Sequence, residues 1–262
     1  MSAIGIFDSG VGGITVLRAL RSAFPNETFI YLGDTARLPY GSKSPQTIRR
    51  YLTQNVAFLL SFPIKAIVVA CNSASTVVEG DFWRDIPLYD VIRPGALAAV
   101  SATKNRHVGI LGTRATVTSG AYVHAIHALD PDITCFQQAC PLLVPLVEEG
   151  WQSHPVSREI LMEYLAEPLA SGADTLILGC THYPVLKSVI REIVGPKVRL
   201  IDSADVLVDR IGMHLRDGHI QPDRGDGSIT VWTTDSGAHF HQIGQSIMGD
   251  IPLDTWQLAD IR

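Results

Sequence analysis

Ile4-Gly5-Ile6-Phe7-Asp8-Ser9-Gly10 and Val108-Gly109-Ile110-Leu111-Gly112-Thr113-Arg114 share one pattern: an apolar run of strand length, a small or acidic residue, then a hydroxyl. A second pair repeats in the same order and at nearly the same spacing. Ile67-Val68-Val69-Ala70-Cys71-Asn72-Ser73 matches Leu176-Ile177-Leu178-Gly179-Cys180-Thr181-His182, an apolar run, a small residue, a cysteine and two polar groups. Two motifs recurring together predict a duplicated chain in which each half carries one cysteine at a strand end.

Working outward, Phe29-Ile30-Tyr31-Leu32 is another continuous apolar run of the kind expected for strands buried on both faces of a parallel sheet. Helical patterns lie between such runs: Leu17, Leu20 and Phe24 fall on one face, as do Ile48, Leu52, Val56, Leu59 and Leu60 before Pro63. This alternation predicts an α/β fold of two similar doubly wound domains with parallel-type sheets. They are pseudo-symmetric, and the active site is expected in the cleft between them, at the carboxyl ends of the strands. The turn signal Arg93-Pro94-Gly95 marks the break between halves, and the second half closes around Asp202-Ser203-Ala204. After a polar stretch beyond Gly218, the strand-like Thr230-Val231-Trp232-Thr233 and a final helix follow. The Thr234-Asp235-Ser236 ending of this tail resembles Asp8-Ser9, so the tail is expected to return to the first half. The domains are thus read as residues 1–93 plus about 208–262, and 94–207.

Composition narrows the function. In 262 residues, 21 basic against 26 acidic side chains leave a formal charge of −5, and no basic cluster exists beyond Arg49-Arg50, which argues against a nucleic-acid partner. The chain starts directly on an apolar strand-like run, and Pro63 and Lys65 interrupt its most apolar stretch, so neither a secretory leader nor a membrane span is expected and a cytoplasmic location follows. The four cysteines lack CxxC spacing, which argues against a disulfide framework or a structural zinc site. A dinucleotide fingerprint starting at Gly10 needs glycine at position 15, where the chain has Thr15.

The chemistry therefore falls on the strand ends. A lone free cysteine is usually a small buried hydrophobe. Two in matched positions, each before groups that open a helix, are instead placed where a thiolate can be stabilised. Cys135 and Cys140 have no such context. His182, two residues beyond Cys180, is positioned to hydrogen-bond it or to hold substrate. Asp8 and Ser9 end the first strand before a glycine-rich loop, and Asp34 ends the next. Glu148 sits among apolar residues, with a surface ion pair and a catalytic role equally open.

Gly5 to Gly13, Leu32 to Gly41, Ala70-Cys71-Asn72-Ser73-Ala74-Ser75 and Leu178 to Pro184, together with Pro141 to Glu148, resemble the motifs of the glutamate racemase family in order and spacing. The resemblance runs from Ile4 to about Asp205 and departs at Ser73, where the family usually has threonine; a slightly looser pocket is expected. It implies a cofactor-independent, metal-free racemase that interconverts L- and D-glutamate for bacterial peptidoglycan. By that resemblance Cys71 deprotonates D-glutamate and Cys180 L-glutamate. Asp8 assists on the first side, His182 and Glu148 on the second. Asp8, Ser9, Tyr40, Gly41, Asn72, Ser73, Thr113, Thr181 and His182 hold the substrate, and a homodimer is compatible with it. The residues alone point the same way: inverting a carbon acid needs a proton taken from one face and another delivered to the opposite face, which a single thiol cannot do for a fixed substrate.

Overall fold

The computed structural model describes residues 2–223, 225–235, 237–253 and 255–261. Its strands in chain order are β1 (Ala3–Asp8), β2 (Phe29–Gly33), β3 (Ile64–Val69), β4 (Phe82–Trp83), β5 (Ile86–Tyr89), β6 (His107–Gly112), β7 (Thr134–Ala139), β8 (Thr175–Gly179), β9 (Arg199–Asp202), β10 (Ile229–Thr233) and β11 (Thr255–Leu258). They form a seven-stranded sheet, β11-β10-β2-β1-β3-β5-β4, and a four-stranded sheet, β7-β6-β8-β9. Every pairing is parallel except β4 with β5.

The order β2-β1-β3-β5 in the first sheet repeats as β7-β6-β8-β9 in the second. The sequence repeat is thereby explained, because β1 corresponds to β6 and β3 to β8. In both sheets the chain reverses direction of build between the two central strands, the switch point at which open α/β sheets bind ligands beyond their carboxyl ends. The interiors of the four central strands are apolar because helices cover both faces; Ile4, Ile6, Val68, Ile110 and Leu178 have no exposed surface.

Helices form where the apolar stripes predict them. Leu17 and Leu20 are buried on the helix Ile14–Ala23, and Ile48, Leu52, Val56 and Leu59 on the helix Pro45–Leu59. The latter begins with Ser44 accepting the Thr47 N–H at 3.3 Å and with Pro45 in its first turn, both favourable at a helix start. The tail returns as expected: β10 pairs with β2, Ile229 opposite Phe29. Ser236 lies outside the described residues. The strand β11, which the sequence reading does not include, adds a parallel edge to β10. Among the described residues no helix is long and apolar enough to cross a membrane.

Candidate active site

Four strand ends build the site. Asp8 closes β1 and is fully buried. Its Oδ1 accepts the Gly10 N–H at 2.9 Å, and its Oδ2 accepts the hydroxyl of Thr181, from the other sheet, at 3.0 Å. Burial raises the Asp8 pKa above the ordinary carboxylate value, outweighing the pull of His182 and of these donors. Close approach of the two halves depends on the glycine loop: a Cβ on Gly12 would collide with the His182 ring and the Thr181 hydroxyl.

Cys71 follows β3 and opens the single helical turn Asn72–Ser75. Its thiol donates to the Ser9 hydroxyl at 3.6 Å. A helix opening was expected to favour a thiolate here, and the Ala74 N–H does act that way, but burial and the neighbouring Asp8 charge win and push Cys71 up to about 12. Cys71 therefore keeps its proton at neutral pH.

Cys180 follows β8 at the matching position, with its sulfur 3.7 Å from His182 Nδ1. On the far side of the ring, His182 Nε2 lies 3.2 Å from Glu148 Oε1, at the end of the helix Leu143–Glu148. Burial opposes charge on this imidazole, yet its partners Cys180 and Glu148 prevail and raise it to about 10. The two thiols thus rest in opposite surroundings, Cys71 beside a carboxyl group and Cys180 beside a cationic ring.

Because its folded value lies above the ordinary 6.5, charged His182 stabilises the fold in full below about pH 6.5, and the contribution is lost as pH climbs toward about 10. Melting curves of the wild type and His182→Asn should therefore converge over that interval. A gap that widened with rising pH would contradict an anchored imidazolium.

Both thiols open onto one cavity of about 280 Å³, sized for a small metabolite. Ser9, Tyr40, Gly41, Asn72, Ser73, Thr113, Glu148, Thr181 and His182 line it with them; Asp8, fully buried, does not. Asp34 does not line it either. Its carboxylate is held by Arg37 Nε at 2.7 Å and by the hydroxyls of Tyr40 and Thr234. The Tyr40 hydroxyl is thus committed to Asp34 and to Asn55, whose amide donates to it at 2.9 Å. The cavity wall here is the Tyr40 ring and the adjoining Gly41, where a Cβ would sit 2.6 Å from that of Thr113. The Ser73 hydroxyl reaches across the cleft to Thr113 Oγ1 at 2.9 Å, so the serine retains a hydroxyl at this junction. Thr113 also caps the helix Arg114–Ser119 through the Thr116 N–H.

A sequence profile described as Asp/Glu/Hydantoin racemase matches residues 14–211. The chain belongs to this racemase family. A glutamate racemase of Syntrophus aciditrophicus is 45% identical over 94% of this chain and 92% of its own. The crystal structure of the glutamate racemase isoform RacE1 from Bacillus anthracis superposes with a TM-score of 0.91 at 34% identity, covering 99% of this chain and 97% of that one. That of the Francisella tularensis enzyme, in complex with D-glutamate, gives 0.89 at 32% identity over the same shares.

Arg114 and the partners of Asn72 escape sequence reasoning. Arg114 stands exposed at the cavity rim. Asn72 is held from both ends of its carboxamide: Tyr122 donates to Oδ1 at 2.7 Å, and Nδ2 donates to Ser203 at 2.9 Å. The recurrence of hydroxyls at every third position, Thr113, Thr116, Ser119 and Tyr122, is the one signal that could have drawn attention to Tyr122.

Proposed function

We propose that this chain interconverts L- and D-glutamate by a two-thiol acid/base mechanism, supplying D-glutamate for peptidoglycan synthesis. It is an amino-acid racemase, an isomerase acting without a cofactor. The observation that carries this reading is the pair of matched cysteines, one from each sheet, opening on a single cavity. The 45% identical relative and the Francisella tularensis structure with D-glutamate support glutamate as substrate.

In the direction from L-glutamate, the Cys180 thiolate takes the α-proton and becomes a thiol. The electron pair left on the α-carbon delocalises into the α-carboxylate, where hydroxyls and N–H groups stabilise the developing charge. The Cys71 thiol then donates its proton to the opposite face, leaving a thiolate and D-glutamate. The reverse reaction exchanges these roles. His182, backed by Glu148, orients and charge-balances the Cys180 side, and Asp8 serves the Cys71 side. Ser9, Asn72, Ser73, Thr113, Thr181 and the Tyr40-Gly41 wall hold the substrate, with Asp8 and His182 also contributing to its electrostatic cradle. Residues 1–93 with about 208–262 form one domain and 94–207 the other, so closure of the halves brings the thiols to one carbon. The racemase works in the cytoplasm, with no nucleic-acid or membrane partner, and a homodimer is compatible with this reading.

Protein dialysed against a chelator and given L-glutamate alone should drive the circular dichroism of the solution to zero, while L-aspartate treated alike keeps its signal. Failure to racemise glutamate would overturn the reading. Activity lost on dialysis and restored by zinc would replace it with metal chemistry, Cys180 and His182 being the candidate ligands.

A further inference from the structure

We propose that Tyr122 is a positioning residue that sets the spacing between the two thiols, a strut fixed at one end beside Cys71 and at the other beside Cys180. The inference rests on the two-thiol reading above. Tyr122 belongs to the helix Ala121–Leu129, is 1% exposed and is not part of the cavity lining, so it acts through its neighbours. Its hydroxyl donates at 2.7 Å to Asn72, the residue after Cys71. Its ring lies flush on the residue before Cys180: a Cβ built on Gly179 would be 3.3 Å from Tyr122 Cε2. The other ring edge faces Gly95, where a Cβ would be 3.1 Å from Cε1. One rigid ring therefore spans from the backbone beside one thiol to the side chain beside the other.

A buried phenol needs a hydrogen-bond partner wherever it sits. This one does not find it in its own half but crosses to the carboxamide beside the other half's cysteine. The carboxamide is in turn steadied by Ser203 at 2.9 Å, so the contact point is not free to swing. Two-base inversion demands both sulfurs within reach of the same α-carbon, and displacements of an ångström cost heavily in rate. A link between halves that ends at the residues beside both thiols meets that demand in a way that packing of the outer helices cannot.

Tyr122→Phe keeps the ring and removes the Asn72 contact; Ser203→Ala loosens the same carboxamide from its other end. In both variants kcat should fall, by between about tenfold and a hundredfold for Tyr122→Phe and by less for Ser203→Ala, with KM changing far less. The primary isotope effect should grow with α-deuterated D-glutamate, whose proton Cys71 removes, and not with α-deuterated L-glutamate. Independently of turnover, the ratio of iodoacetamide labelling at Cys71 to that at Cys180, mapped by mass spectrometry, should shift in both variants. A lower melting temperature with wild-type isotope effects and labelling ratio would make Tyr122 an ordinary core residue and overturn the proposal. A wild-type protein inactive on glutamate would sink the racemase reading instead, a result the labelling ratio keeps separate.

Discussion

Cys71→Ala and Cys180→Ala should each abolish racemisation while leaving the fold intact. Each thiol is small, buried and at the end of a strand whose pairing does not involve its side chain, so truncation leaves the sheets in place. On the two-thiol reading, what is lost is the proton carrier for one face of the substrate. A general acid or base typically contributes ~10²–10⁴-fold in rate, and without either one the inversion cannot be completed. Stopped-time assays on enantiomerically pure glutamate, in both directions, read this out directly. Residual activity above about a tenth of wild type in either variant is incompatible with two obligatory thiols on that scale.

The parts of the fold that were legible in the sequence are those where burial imposes a simple pattern. Strands β1, β2, β3, β6 and β8 are covered on both faces, and each shows as an unbroken apolar run. The strands that escaped notice lie at or near the edges. In β7 no residue of Thr134-Cys135-Phe136-Gln137-Gln138-Ala139 is buried, and in β11 only Trp256 is even partly covered, so neither has a continuous apolar signature. In β5, Pro87 breaks the run; it is tolerated there because the ladder with β3 covers only Leu88 and Tyr89, so no N–H is needed of it.

The site divides in the same way. Cys71 and Cys180 could be found because duplication placed them in register, and His182 because it follows Cys180 closely. What no local pattern reveals is which partner a polar side chain finds in three dimensions. Tyr40 commits its hydroxyl to Asp34, Asp8 is covered by Thr181 from the opposite half, and Asn72 is clasped by Tyr122 and Ser203. Nor does chain position show that burial and Asp8 would hold Cys71 as a thiol despite the helical turn that follows it.

His182→Asn carries the second large effect. The asparagine can still reach a neighbour by hydrogen bonding, but the positive charge held at neutral pH by Cys180 and Glu148 is gone. Proton transfer at Cys180 then loses its nearest charge partner, and turnover should fall toward the lower end of ~10²–10⁴-fold. The equilibrium between enantiomers is fixed by their symmetry, so kcat/KM must fall equally in both directions. The asymmetry appears in the isotope effects: that for α-deuterated L-glutamate should rise, because removal of its proton by Cys180 becomes the slower step. Equal changes from both enantiomers would reassign His182 to substrate holding.

The source of the new α-proton tests the central claim most directly. With Cys71 and Cys180 on opposite faces, the proton taken from L-glutamate remains on Cys180 while Cys71, equilibrated with solvent, delivers a different one. In deuterium oxide at early turnover, the D-glutamate formed should therefore carry deuterium at the α-carbon, and the unreacted L-glutamate should remain largely protiated. A single base serving a substrate that turns over in the cavity would return much of the original proton to the product. Mass spectrometry of the separated enantiomers distinguishes the two: deuterated early product is the result the two-thiol account predicts, and early product rich in protium would contradict it even if both cysteines proved essential.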